Sequence, residues 1–168
     1  MKRLRIALPP LDELNTESPV QFAWLDRAGQ VSQQGQGSLA QWANTQVEFF
    51  LHPRDSLLTS LELPQLPSAR VDDAVTCAAQ ALILGPVELM HVAHGPREST
   101  GLVQVGWLPK SGLEQLARVA AQLKIKVRGL YPAPYALPVG GQPSAAFSDG
   151  YLLLRHGVQL GAVHPLGQ

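Results

Sequence analysis

The side chains able to do chemistry in this sequence are few and scattered. Five histidines raise metal ligation first, and His91 and His94 are the closest pair. A zinc site needs imidazoles that converge on one point, but in a strand a spacing of three sends the two rings to opposite faces, so no shared metal is predicted. Cys77 is the single cysteine. It falls among Ala74, Ala78 and Ala81 in a helical pattern and is expected as a small buried thiol, with no histidine placed to lower its pKa. A two-metal nuclease would require several carboxylates converging from strand centres. Only Glu48 and Glu62 stand in strand patterns, while Asp26 and Asp149 fall at turns, where such side chains commonly bond their own backbone. Phosphate binding calls for a glycine-rich turn leading from a strand into a helix N-terminus. Neither Gly35-Gln36-Gly37 nor Gly140-Gly141 has that setting. No catalytic residue, metal site or cofactor is assigned.

Charge removes further classes. Thirteen basic side chains balance thirteen acidic ones in 168 residues, so no net field draws in a phosphate backbone or an anionic lipid surface. Nucleic acid and membrane contact by this chain are not expected. A lone cysteine fits a reducing compartment. Met1 to Arg5 begins like the charged region of a signal peptide, but Pro9-Pro10 and Asp12-Glu13 cut short the apolar stretch after it, and a first strand is the better reading. The longest apolar stretch, Ala74 to Leu84, falls short of the roughly 20 residues of a membrane span. The chain is expected to be soluble and cytoplasmic.

With no chemistry to anchor the reading, the elements themselves carry it. Val20 to Leu25 alternates polar and apolar, Asp26-Arg27-Ala28-Gly29 supplies a turn, and an extended pattern resumes at Gln30, which predicts a β-hairpin. A short amphipathic piece at Leu39 to Trp42 precedes two strands, Val47–Leu51 and Leu57–Leu63. A helix follows Pro67, with Ser68 as N-cap, Asp72 and Asp73 in its first turns, an apolar stripe of Val71, Val75, Ala78 and Leu82, and Gly85-Pro86 as its stop. Leu89–Ala93 and Leu102–Trp107 form a second hairpin around a polar connection, Gly95 to Gly101. Ser111 and Glu114 form a capping box for a second helix, whose face is Leu113, Leu116, Ala120 and Leu123 and which ends near Lys124. Val127 to Tyr131 is a strand, and the prolines and glycines beyond it describe a connector with little regular structure.

After that connector, Gly150–Arg155 and Val158–Val163 form a third hairpin around the tight turn His156-Gly157, repeating the opening motif. The expected organisation is a first α/β unit over 1–140, a connector over 141–148, and a hairpin over 149–168 that either starts a second unit or packs onto the first. Partner contact is expected at exposed hairpin tips, where packing constraints are weak. Arg97 and Glu98 sit in one such connection, Arg155 and His156 in another. Of the three tryptophans, Trp24 and Trp107 lie in apolar strands and are expected in the core, whereas Trp42 lies in a polar neighbourhood and is a candidate interface residue.

Order and spacing across nearly the whole chain resemble the N-terminal cytoplasmic region of protein L of the bacterial type II secretion system, the GspL family. The resemblance is carried by Leu61-Glu62-Leu63-Pro64, by Leu66-Pro67-Ser68-Ala69-Arg70 at the entry to the first helix, and by Val87 through Pro96. Trp107, the helix with Leu113 and Leu116, Tyr131-Pro132-Ala133-Pro134 and Asp149 through Arg155 complete it. It implies an α/β fold built of RNase H-like units in the actin-like ATPase arrangement, with a mixed sheet and two main helices, in agreement with the duplicated hairpin. It implies a non-enzymatic scaffold on the cytoplasmic face of the inner membrane, within a full-length protein that crosses the membrane once. The partners it implies are the N-terminal region of the secretion ATPase, GspE, and the platform proteins GspM and GspF, with a homodimer as a further expectation. The first helix departs from the pattern, being alanine-rich where relatives tend to carry acidic residues in its second half. The alternative within the same fold is an ATP-binding assembly protein related to PilM.

Overall fold

The computed structural model describes residues 2–140, 142–158 and 160–166. Gly141, assigned above to the connector, Gln159, assigned to the last hairpin, and Met1 lie outside them.

Alternating apolar residues build the central sheet. In β1 (Arg3–Ala7), Leu4 and Ile6 point to one face and Arg3 and Arg5 to the other. β2 (Pro19–Leu25) and β3 (Val31–Ser38) form the predicted hairpin. Its turn is closed by Asp26, whose Oδ1 accepts from the N–H groups of Ala28 and Gln30 at 2.9 and 3.0 Å, and by Gly29 at φ +80°. β4 (Gln46–Phe50) lies parallel to β1, and β8 (Lys126–Tyr131) lies parallel to β4. The order is β3-β2-β1-β4-β8, antiparallel on one side of β1 and parallel on the other.

One face of this sheet is closed by α2 (Lys110–Leu123), whose Leu116, Val119 and Ala120 pack with Leu4, Ile6, Val47 and Phe49. The expected apolar stripe is correct, but its start is not a capping box. Pro109 precedes a helix that begins at Lys110, and no side chain caps it. The helix ends at Lys124, in the left-handed region at φ +53°. Trp42 closes the same core from a 3-10 turn, Leu39–Trp42, with its ring 4.8 Å from that of Phe22 and only 7% of its surface exposed. The expectation of an exposed Trp42 is thus overturned: the turn rotates it inward.

Between β4 and β8 the chain inserts a second sheet, β5-β7-β6, made of β5 (Leu57–Glu62), β7 (Leu102–Pro109) and β6 (Met90–His94), all antiparallel. α1 (Ser68–Gln80) covers it through Val75 and Ala79, with Ile83 just beyond, against Val103 and Val105. The buried stripe therefore steps by four residues from Val71 to Ile83. Leu82, placed in the stripe from sequence, is 45% exposed, and Cys77 is exposed, not buried. Ser68 is the first helical residue, not the N-cap, a position that falls to Pro67. The helix stops at Ala81, before Gly85, whose positive φ serves a later turn. Trp24 and Trp107 are half-buried against the first and second cores respectively.

The third sheet is β11-β10-β9, with β9 (Ser144–Ser148), β10 (Tyr151–Gly157) and β11 (Leu160–Pro165) antiparallel throughout. β9 forms where the sequence predicts connector. Asp149 and Gly150, both at positive φ, make the two-residue turn into β10. No turn falls at His156-Gly157, because both residues still belong to β10. β9-β10-β11 repeats the meander of β1-β2-β3, and it packs onto the first part of the chain. Gln104 of β7, only 4% exposed, donates from Nε2 to the Thr59 carbonyl at 2.7 Å and accepts from the Gly161 N–H at 2.6 Å. One side chain thus joins all the way from β5 to β11.

Candidate functional site

In open sheets with parallel strands, ligands gather beyond the carboxyl ends of the strands, where the chain direction changes. Here that place lies beyond Ala7, Phe50 and Tyr131, facing the β9–β10 turn. A cavity of about 380 Å³ occupies it, walled by Leu8, Pro9, Pro10, His52, Ala133 and Asp149 among others. The loop from β1 to β2 is where backbone donors for a phosphate would have to come from. The Leu8 N–H donates to the Phe50 carbonyl at 2.9 Å, Pro9 and Pro10 have no N–H, and the Leu11 N–H donates to Asp55 Oδ2 at 2.9 Å. Burial pushes the Asp55 carboxyl above its ordinary pKa, with the Leu11 bond working against that. Opposite the loop, His52 Nε2 and Asp149 Oδ2 lie 2.9 Å apart, tying the turn of the third sheet to the end of β4.

A second cavity, about 460 Å³, lies on the face of the central sheet that α2 does not cover. β1 contributes Arg3 and Arg5, β4 contributes Glu48 and Phe50, and β8 contributes Tyr131. The inserted sheet forms the opposite wall, and Tyr135 and Arg155 close the end. Alternation explains the placement: Leu4, Ile6, Val47 and Phe49 turn to the core, so Arg3, Arg5 and Glu48 turn the other way. Arg5 lies over the Phe50 ring and Arg155 over the Tyr135 ring, each with 5.1 Å between guanidinium carbon and ring centroid. Glu48 Oε1 is 3.7 Å from Arg3 Nη1 and 4.0 Å from Arg5 Nε. Arg5 Nε and Glu48 Oε1 are both buried and make no hydrogen bond. Burial lowers the Arg5 pKa; Glu48 pulls it back, and Arg3 and Arg155 add to the depression.

Among the residues singled out from sequence, Arg155 is held by structure. Its Nη1 donates to the carbonyls of Tyr135 and Leu137 at 2.9 and 2.8 Å, and Nε and Nη2 donate to Gly157 and Val158, each at 3.2 Å. It is not at a bare hairpin tip. His156, its neighbour in β10, is exposed. Arg97 and Glu98 are half-buried, with Arg97 Nε donating to the Leu63 carbonyl at 3.1 Å, so Pro96, Ser99 and Thr100 are the exposed residues of that connection. Arg97 and Glu98 stand in the connection between β6 and β7, Arg155 and His156 in β10, and Trp42 in the first core. Among the described residues no group of three or more His, Cys, Asp or Glu is placed to hold a metal ion, and no helix is long and apolar enough to cross a membrane.

His91 is exposed, and His94, three residues on, faces α1 and the second cavity. Its Nδ1 meets the Gly95 carbonyl at 2.8 Å and its Nε2 meets Asp72 of α1. Burial lowers its pKa, but the Gly95 bond and the Asp72 carboxylate outweigh burial and raise it overall. A raised folded-state pKa means the contribution to stability is complete below the ordinary imidazole range and is lost as pH rises through the raised value. The melting temperature of the wild type relative to His94→Gln is therefore expected to be highest at mildly acidic pH and to decline towards neutrality. A difference that stayed flat with pH in thermal melts would refute the coupling.

The sequence matches no family model, and no curated protein matches it. Solved structures do. The cytoplasmic domain of EpsL, an inner-membrane component of the type II secretion system of Vibrio cholerae, is similar over 98% of this chain and 71% of its own, with a TM-score of 0.78 at 17% identity. A PilM-PilN type IV pilus biogenesis complex is similar over 97% of this chain and 61% of its own, with a TM-score of 0.63 at 13% identity. A Bacteroides thetaiotaomicron protein of actin-like ATPase fold and unknown function is similar over 99% of this chain and 71% of its own, with a TM-score of 0.51 at 11% identity. The chain therefore has the actin-like ATPase fold, in the form seen in the cytoplasmic domain of a type II secretion protein L.

Proposed function

We propose that this chain is a non-enzymatic scaffold of a type II secretion inner-membrane platform, which recruits the secretion ATPase through the N-terminal region of that enzyme. The observation that carries the reading is the fold match to the EpsL cytoplasmic domain over 98% of the chain. On this reading the chain works at the cytoplasmic face of the inner membrane, GspM and GspF are met through the full-length molecule, and a second copy of the protein is a further partner. The repeat of β1-β2-β3 by β9-β10-β11 supports a second unit that begins at β9. The exposed His156 and the connection holding Arg97 and Glu98 are the sequence-chosen positions best placed for partner contact.

The PilM match supports a second reading, an ATP-binding assembly protein. The β1–β2 loop weighs against it, since two prolines and two engaged N–H groups leave Leu8 to Leu11 without a free donor for a phosphate. The test is co-purification with the N-terminal region of the secretion ATPase from the same organism, alongside melting in magnesium ATP. The scaffold reading expects a complex at micromolar concentration and an unchanged melting temperature. A rise of several degrees with magnesium ATP favours the nucleotide reading, because a ligand that binds only the folded state stabilises it.

A further inference from the structure

The second cavity is electrostatically lopsided. Three guanidinium groups, Arg3, Arg5 and Arg155, meet one carboxylate, Glu48, in a chain of zero net charge. That carboxylate is too far from Arg5 Nε for a hydrogen bond, and both atoms are left buried without a hydrogen-bond partner. Buried polar atoms in native proteins are nearly always bonded, so an orphaned Arg5 donor facing a cavity marks a place where an acceptor from outside can meet it. The donors of Arg155 are engaged by four backbone carbonyls, so it supplies charge and shape. That leaves Arg3 and Arg5 to donate, and Arg5 is the more buried of the two.

The chemistry selects among anions. A phosphate would bring two negative charges close to Glu48, and this cavity is lined mainly by strand side chains, with no α-helix N-terminus among its lining residues to offset the repulsion. A single carboxylate fits better, since one guanidinium edge can hold it with two parallel bonds. The walls favour a carboxylate on a partly apolar chain, because Phe50, Tyr131, Leu58 and Tyr135 surround the arginines. A volume of about 460 Å³ accommodates a few side chains.

We propose that this cleft receives an acidic side chain from an extended segment of a partner protein, with Arg5 holding the carboxylate and Arg3 and Arg155 providing the positive surround. The inference rests on the chain being an assembly protein. Glu48 keeps the arginines ordered while the cleft is empty and competes with the incoming carboxylate.

The test is fluorescence anisotropy with a labelled octapeptide of alternating Glu and Leu, and with its Gln and Leu counterpart. The Glu peptide is expected to bind about tenfold more tightly. Arg5→Gln and Arg3→Gln should remove that preference, while Arg118→Gln, the same charge change on the exposed surface of α2, should keep it. Glu48→Gln should strengthen binding of the Glu peptide several-fold, whereas a purely structural Glu48 would make the same change weaken it. Should Arg5→Gln fail to fold, Arg3→Gln and Glu48→Gln still decide the matter, since Arg3 is half exposed. Equal binding of the two peptides, a preference that survives Arg3→Gln in folded protein, or displacement by inorganic phosphate more readily than by acetate would overturn the proposal. Capture of the secretion ATPase without a Glu preference defeats this inference alone. A Glu preference without capture defeats the scaffold reading alone.

Discussion

Phe49→Ala is expected to lower the free energy of unfolding by about 3–5 kcal/mol, the usual cost of emptying a phenylalanine site in a packed core. Phe49 is fully buried in β4, where it meets β1 on one side, β8 on the other and α2 across the face. Collapse around the gap is hindered because Ile6 and Leu130, its register partners, are fixed by strand pairing. Against a typical total of about 5–15 kcal/mol, such a loss would bring the domain close to its unfolding threshold. Urea titration should show a much lower midpoint with an unchanged slope. A loss below about 1 kcal/mol would mean that the central sheet is looser than the packing indicates.

Gln104→Leu should cost about 1–3 kcal/mol although it keeps the side-chain volume, because it leaves the buried Gly161 N–H without an acceptor. The part-buried Thr59 carbonyl loses one donor, and the Gly161 N–H loses its acceptor. The effect should also be local: the Gly161 amide should exchange with solvent far faster, while amides in the central sheet change only with global stability. Uniform loss of protection across the protein would show that Gln104 acts through the core of the inserted sheet instead of as a bridge to β11.

Strands were readable from sequence wherever apolar and polar residues alternate, as in β1, β2 and β4, because burial of one face imposes that period. The second helix was readable for the same reason. The misses have separate causes. Trp42 has polar neighbours in sequence, but Phe22, which it packs against, comes from another strand, and local composition carries no record of that contact. α1 was phased one residue out in its second half, since alanines at 78, 79 and 81 dilute the apolar signal. That error put Leu82 in the core and Cys77 under cover. β9 is built from Ser144, Ala145 and Ala146, which have weak strand preference, and it exists because β10 supplies its hydrogen bonds. The arginine cleft left half a signal. Arg3 and Arg5 alternate with Leu4 and Ile6, and Glu48 lies between Val47 and Phe49, so charged faces on two strands could be read. Their adjacency depends on the parallel register of β1 with β4, and the arrival of Arg155 depends on how the third sheet docks. Neither is encoded locally.

The position of the inserted sheet also bears on the order of folding. β1, β2 and β3 are neighbours in sequence and can pair early, whereas β4 and β8, adjacent in the sheet, are separated along the chain by residues 51–125. Closing so long a loop costs entropy before the parallel pairing returns anything, and contacts of this kind slow folding. The inserted sheet shortens that loop once it has formed, so β8 should be the last strand of the central sheet to gain protection in pulse-labelled exchange, and the face bearing Arg5 should be the last surface to take shape.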